Sequence, residues 1–516
     1  MQAGVLAVNG SLAGSTVTVR GGAGLTGSGI VGGANLETGA TVAPGESGVG
    51  TLTVNGGFAQ AAGSTYQAQV DPATSASDRI VVGGAATLAP GAVLNVSRVG
   101  GGTYRVGQSF VVLSAAGGVT GTYTLAGETG ALSAFLGLDD AYDANNVYLT
   151  VEQVRALAEA AQTPNQTAAA TGADRLAEDN ALRTALVNLA DDPTARAAFD
   201  QLSGEAHASG QAVLVQQSGM IRDAAMARLD DCDEQVGAAE EACDRPAGWA
   251  QVFGGWGKLD GDSNAAQADQ SSAGFLLGMD APLGGWRLGA FAGYTRSDWD
   301  VDARASKGES QDYHLGAYAG RERGALSLRA GGALAWHEID TDRTVAFPGL
   351  SQSLEAGYDA RTTQAFADLA YSLPAGGLDW SPFVNVAHVR LRTDGFTETG
   401  GSAALSGATE TMSQTVTTLG VRPSTRLALG GTEARLRALL GWRHAFGEVA
   451  PKTRVAFEDG EAFAVTGAAL ARDAAALDLR LELPFGARGM AGISYGGQYS
   501  GKATQHRLRA DLRVRF

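Results

Sequence analysis

In the last nine residues, Leu508 to Phe516, apolar and charged side chains alternate: Leu508, Ala510, Leu512, Val514 and Phe516 fall on one face, and Arg509, Asp511, Arg513 and Arg515 on the other. Successive side chains of a strand point to opposite faces, so the pattern predicts a strand with one apolar side and one charged side. The same period recurs upstream. Leu326, Leu328, Ala330, Leu334 and Trp336 stand opposite Ser327, Arg329, Ala333 and His337, while Leu477, Leu479, Leu481, Leu483 and Phe485 stand opposite Asp478, Arg480 and Glu482. Twelve such segments are expected, at about 248–259, 270–282, 286–299, 309–321, 325–339, 357–374, 379–393, 411–429, 432–446, 463–484, 487–500 and 502–516.

The links between these segments sort by length. Short links rich in turn residues, such as Pro282-Leu283-Gly284-Gly285, Arg321-Glu322-Arg323-Gly324, Pro374-Ala375-Gly376-Gly377, Gly430-Gly431 and Gly486-Ala487-Arg488-Gly489, alternate with longer polar ones near 260–269, 300–308, 340–356, 394–410 and 447–462. An even-numbered membrane barrel has tight turns on one side and long loops on the other, and a soluble barrel has no reason to sort them. Apolar side chains would then meet lipid and charged ones a water-filled lumen. Trp249, Trp256, Trp286, Trp299, Trp336, Trp380 and Trp442 lie near strand ends, as interfacial girdles require. No run of about 18 apolar residues is present, so strands in a closed barrel are the means of crossing a bilayer.

Residues 1–150 read differently. Short β runs, including Gly50-Thr51-Leu52-Thr53-Val54-Asn55-Gly56, Asp78-Arg79-Ile80-Val81-Val82 and Ser109-Phe110-Val111-Val112-Leu113, are separated by Gly, Asn, Asp and Pro. A β-solenoid fits this density of turns, with a β-sandwich as the alternative. From 151 to 246 helix formers dominate. Glu152 to Ala161 is expected to be helical until Thr163-Pro164-Asn165-Gln166 breaks it, with further helices at 173–190, 193–202 and 205–230. The last would span roughly 38 Å, enough to thread a bilayer-sized barrel. It could instead pack beneath or outside the barrel.

Composition adds exclusions. The chain has 516 residues, 73 of them glycine, and a net charge of −16, which points to extended β architecture and away from nucleic acid as a partner. Its two cysteines, Cys232 and Cys243, lie close in sequence, so a small disulfide loop is expected in an oxidising compartment, with free thiols as the alternative. No catalytic, metal or cofactor site is expected. Gly45-Glu46-Ser47-Gly48 and Gly261-Asp262-Ser263-Asn264 are not the strained elbow of a hydrolase, and His337, Asp340 and Asp342 are the one cluster that could imitate a loop-borne protease site. Met1-Gln2-Ala3-Gly4 runs directly into a β segment without a signal peptide, so an incomplete N-terminus is expected.

Taken together, a Gly-rich solenoid, a helical linker and a twelve-stranded barrel ending in Phe resemble the classical monomeric autotransporters of Gram-negative bacteria, the type V secretion family. Gly50 to Gly56 and Ser77 to Val82 look like a passenger repeat and an autochaperone region; Tyr142 to Leu149, Thr163 to Gln166, Leu202 to Ser209 and Ile221 to Ala224 look like the segment preceding the barrel. The resemblance implies an all-β chain with a right-handed β-helical passenger fragment at 1–150, a helical linker at 151–246 and a transmembrane β-barrel at 247–516. It implies that Leu508, Ala510, Leu512, Val514 and Phe516 form the signal read by the barrel assembly machinery. It also implies that the lumen helix carries Arg222, Asp223 and Arg228, which would pair with Asp368, Asp478, Arg480 or Glu482. Outer-membrane lipid, lipopolysaccharide and periplasmic chaperones would be the partners of a monomer, with no cofactor. The implied activity is secretion and surface display of its own passenger; the alternative is the C-terminal remainder of a surface hydrolase of the serine-protease type.

Overall fold

The structure is a computed structural model that describes residues 3–230, 245–429, 432–486 and 488–516. Cys232 and Cys243, and with them the expected disulfide, lie outside the described residues. The chain divides into two compact units. The first comprises Met1–Ala161, Ala173–Ala197 and Phe347–Leu350, and the second Gln162–Gly172, Ala198–Ala346 and Ser351–Phe516.

In the first unit, short strands stack in parallel register. One sheet runs Gly4–Ala7, Ala23–Gly27, Thr41–Pro44, Thr65–Asp71, Val93–Arg98 and Thr124–Gly127. In a second sheet Arg79–Val82 lies parallel to both Thr51–Val54 and Ser109–Ala115. Alternate residues point between the sheets, where Leu25, Leu52, Tyr66, Ile80, Leu94 and Phe110 are fully buried. The stack ends in antiparallel pairing, with Asn146–Gln153 between Ser109–Ala115 and Leu136–Tyr142. Glu152 and Gln153, expected to open a helix, close this strand instead; pairing with Gly137 and Leu136 outweighs local propensity.

Asp78 is the buried acid of this stack. Its carboxylate accepts hydrogen bonds from the backbone N–H groups of Gly50 at 2.8 Å and Gln69 at 2.9 Å, tying together segments on either side of it. Burial raises its pKa from 3.8 to about 6, against the lowering effect of those two N–H donors. The folded state therefore holds the proton more tightly than the unfolded chain. The contribution to stability is complete below the ordinary carboxylate value and is lost as pH rises through about 6. Amide exchange protection across 66–82, corrected for intrinsic rates, is expected to fall from pH 4 to pH 6.5. Asp78→Asn should flatten that slope while lowering protection at every pH, because an amide side chain can offer only one acceptor oxygen to the two donors. An unchanged slope in the variant would assign the pH dependence to another group.

The second unit contains twelve long strands: β1 Ala247–Leu259, β2 Ala268–Leu283, β3 Trp286–Val301, β4 Ser306–Arg323, β5 Leu326–Phe347, β6 Leu350–Tyr371, β7 Leu378–Thr393, β8 Glu410–Leu429, β9 Thr432–Gly447, β10 Asp473–Phe485, β11 Gly489–Tyr499 and β12 Ala503–Arg515. Each pairs antiparallel with its neighbours in sequence, and β12 returns to pair with β1 over their full lengths, so the sheet closes into a barrel without an edge. Leu508, Leu512, Val514 and Phe516 point outward and are exposed, as are Leu477, Leu479, Leu328 and Trp336, while Arg329, Arg480 and Arg509 point inward and are buried. Ala510 shares the outward face.

Three expectations need correction here. The segment 340–356 is not a polar loop: β5 and β6 continue through it with Ile339, Val345 and Leu354 buried inward, leaving a tight turn at 348–349. Strand 463–484 is two elements, β10 and a separate Phe463–Thr466 that joins Lys452–Phe457, Leu405–Gly407 and Phe396–Thr397 in a small four-stranded sheet on the long-loop side. Finally, Trp249 and Trp299 do not belong to an outer girdle. Their positions in β1 and β3 share parity with inward residues, and they are 6% and 1% exposed.

Helices occupy Pro164–Asp174, Ala181–Val187, Asp192–Leu202 and Glu205–Asp230. Pro164 begins a helix rather than breaking one, since the first turn needs no N–H from that position.

Candidate functional site in the barrel lumen

The helix Glu205–Asp230 runs inside the ring of strands. Every residue of it except Asp223, Ala227 and Asp230 is buried, and the buried set covers all faces. A helix buried all round needs partners all round, and the barrel supplies apolar ones. Val213 and Leu214 pack among Trp299, Ile339, Val389 and Leu391. Met220, Ile221, Met226 and Leu229 pack among Trp249, Phe253, Phe291 and Tyr318. The lumen is thus largely a packed core, where alternation alone had suggested a water-filled tube.

Polar contacts fix the helix at both ends. At its start Glu205 accepts from the backbone N–H of Ala266 at 2.7 Å and the side-chain amide of Asn165 at 2.8 Å, and pairs with Arg304 at 3.0 Å. Two residues on, His207 stacks on Phe396 with ring centroids 4.0 Å apart and meets Glu398 at 2.8 Å. Arg343 holds the same Glu398 with two parallel bonds of 2.6 and 2.8 Å. These groups sit on the long-loop side, where the Ser209 hydroxyl oxygen also accepts from the backbone N–H of Ala468 at 3.0 Å.

At the other end Arg228 donates to both oxygens of Asp280 at 2.7 Å each. Asp280 also accepts from Arg287 at 2.6 Å and from the Tyr318 hydroxyl at 2.7 Å, and that hydroxyl accepts from the Trp249 indole N–H at 2.7 Å. The Asp280 side chain is fully buried and bound by two guanidinium groups, the geometry in which a buried pair is strongly held.

The partners expected for the helix charges are replaced by others. Asp223 pairs with Arg507 at 2.7 Å, Arg228 with Asp280, and Arg222 has its nearest carboxylate on its own neighbour Asp223 at 3.9 Å. Asp368 is held by Arg422 at 2.8 Å, Asp478 by Arg509 at 2.5 Å, Arg480 by Asp511 at 2.8 Å, and Glu482 lies 3.3 Å from Arg437. These four inward groups are matched within the wall. Asp280 was missed because it is a single acid at an inward position of β2, where its parity with buried neighbours was the available signal; Glu398 lies in the long loop after β7, where strand parity gives none.

His337 does not join Asp340 and Asp342, which project from the opposite face of β5. It lies between Asp312, at 2.7 Å from Nδ1, and Thr362, at 2.8 Å from Nε2. That is an acid, imidazole and hydroxyl in sequence. The cavity beside it is only about 20 Å³, however, room for one water-sized molecule and not for a substrate.

Residues 248–496 match the autotransporter beta-domain family. The chain carries an autotransporter β-domain. It is 31% identical over 563 residues to an extracellular serine protease of Serratia marcescens, covering 99% of this chain and 53% of that one. A second extracellular serine protease of that organism is 35% identical over 318 residues, covering 61% of this chain and 30% of the relative. The chain therefore spans about half or less of the length of these relatives. Among solved structures, the translocator domain of the autotransporter NalP from Neisseria meningitidis aligns at 17% identity with a TM-score of 0.49, covering 60% of this chain and 98% of that one. The helix-filled barrel is an autotransporter β-domain, a family that implies the outer membrane.

Proposed function

We propose that the translocator exports the region N-terminal to it and displays that region at the cell surface, with the Glu205–Asp230 helix left in the pore. The carrying observation is the direction of the chain through the barrel. The helix begins among the long-loop elements near Ala266 and Glu398 and ends beside Asp280 and Arg287, next to the short β2–β3 turn. Short turns of such barrels face the periplasm and long loops the exterior, so sequence upstream of Glu205 emerges outside. Parallel strands that bury apolar area on the preceding coil would draw a translocating chain outward as they fold. In this reading Leu508 to Phe516 are recognised by the barrel assembly machinery, periplasmic chaperones escort the unfolded chain, and the barrel works as a monomer in lipid and lipopolysaccharide.

Protease added to intact Gram-negative cells that express the chain behind a signal peptide should degrade residues 1–150. A barrel-sized fragment should remain protected and run fast on a detergent gel unless heated. Degradation only after the outer membrane is broken would sink the display reading. The printed names of the two Serratia relatives support a second reading, in which the exported region includes a serine protease. Labelling of intact cells by a fluorophosphonate probe, in a strain carrying the whole reading frame, would support it, and no labelled product would exclude it.

A further inference from the structure

Among the described residues most guanidinium groups of the lumen are matched to carboxylates, and two beside the middle of the helix, Arg222 and Arg443, are matched least. Arg222 is 4% exposed and its Nη1 has no hydrogen-bond partner among the described residues. Its neighbour Asp223 lies 3.9 Å from Nε but is engaged by Arg507 at 2.7 Å. Arg443, on β9, makes no hydrogen bond and no ion pair with a carboxylate among the described residues, and it lies beside Arg222. Both groups converge over the bare backbone of Gly219. A Cβ built there would stand 3.3 Å from Nη2 of Arg222 and 3.8 Å from Nη1 of Arg443.

A buried cation and a half-buried one approach one point here, with only Asp223 at hand and that carboxylate engaged by Arg507, so their desolvation and repulsion cost is only partly relieved within the protein. The space in front of them is a cavity of about 150 Å³, whose lining includes Arg222, Arg443, Arg507, Arg509, Asp223 and Asp478. Arg509 and Arg507 lie 2.5 and 3.5 Å from Asp478. The full lining holds eight guanidinium groups and three carboxylates, Asp223, Asp230 and Asp478, so cations outnumber acids around the cavity. Arg422 and Arg480 of the same lining, and Arg228 elsewhere in the lumen, each bind an acid directly.

We propose that this cavity is a binding site for a small divalent oxyanion, with inorganic phosphate or sulfate as its chemical type. The guanidinium fork matches a tetrahedral oxyanion through paired N–H bonds, which a halide cannot reproduce. The volume equals about five water molecules, so a phosphate and its residual hydration fit and a nucleotide does not. The closed ring of strands separates the cavity from lipid, which makes the ligand a free ion from the aqueous side and not a lipid headgroup. The inference holds for the folded barrel whatever the barrel exports.

The test is titration of the full chain, folded in neutral detergent at constant ionic strength, with inorganic phosphate. Binding is read by the phosphorus NMR line width, and the fold of every variant by its heat-dependent gel mobility. Saturable broadening that sulfate reverses and chloride does not is the expected result. Arg443→Gln should weaken binding by about tenfold or more, as loss of a charge-assisted contact predicts. Arg443→Lys should lie between the two, keeping charge but losing the fork. Absence of saturable broadening in the parent protein would overturn the proposal, as would equal binding by whichever Arg443 variant retains the folded mobility. Addition of short-chain phosphatidic acid as a competitor separates the sources: displacement of phosphate by it would show that the site takes a lipid headgroup.

Discussion

Asp280→Ala is expected to destabilise the folded barrel by about 3–5 kcal/mol, the usual cost of removing one partner from a buried ion pair. The size follows from what is left behind. Arg228 on the helix and Arg287 on β3 both lose their carboxylate in a site that water does not reach, and the Tyr318 hydroxyl loses its acceptor. Because Arg228 is the last cation of the helix, the helix should also loosen. The urea midpoint for loss of the fast-migrating band should fall sharply, and ion conductance of the variant in planar bilayers should exceed that of the parent. The double variant Arg228→Met with Asp280→Leu should recover part of the loss, since an apolar replacement leaves fewer charges stranded. A single variant within about 0.5 kcal/mol of the parent would mean that water enters this end of the lumen and screens the pair.

The wall of the barrel was legible in the sequence because a period of two has few other causes over twelve segments. From Leu508 to Phe516 parity alone assigns each side chain to a face, and the structure exposes Leu508, Leu512, Val514 and Phe516 on one side while burying Arg509 on the other. Parity also continues where composition misleads. The stretch 340–356 contains enough Thr, Ser and Asp to resemble a loop, yet Ile339, Thr341, Arg343 and Val345 keep the inward phase, and the strand persists to Phe347. Turn chemistry marked the short side of the barrel, since Gly284, Gly285, Gly324, Gly376 and Gly377 adopt the positive φ that those turns need.

The interior was less legible, for a physical reason. A charged residue at an inward position can meet water, another wall residue or the helix, and strand period does not distinguish these. Pairing depends on register across strands far apart in sequence: Asp478 meets Arg509 through the β10, β11 and β12 order, 31 residues away. Asp223 reaches Arg507 across 284 residues. The helix itself gives little warning, because its Ala, Gly, Ser and Gln residues form no apolar stripe. That lack of a stripe is what burial on every face requires.

Trp299→Ala should produce the second large effect, a loss of about 3–5 kcal/mol from an emptied core site. The indole is 1% exposed and lies where β3 faces the helix, in contact distance of two glycines. A Cβ at Gly210 of the helix would stand 2.7 Å from its Cζ2, and Gly308 on β4 is likewise too close to the ring to carry a side chain. Two elements have therefore given up side chains to admit one tryptophan, so removing it leaves a void that neither neighbour can fill. The indole N–H has no hydrogen-bond partner among the described residues, which makes the ring an apolar filler. Trp299→Phe should accordingly cost much less than Trp299→Ala, although a hydrogen-bonding role would make the two nearly equal. With the void lying between the helix and the wall, Trp299→Ala should also raise bilayer conductance while keeping the heat-dependent gel shift. Unchanged conductance together with unchanged urea midpoint would show that the helix seals the pore without this contact.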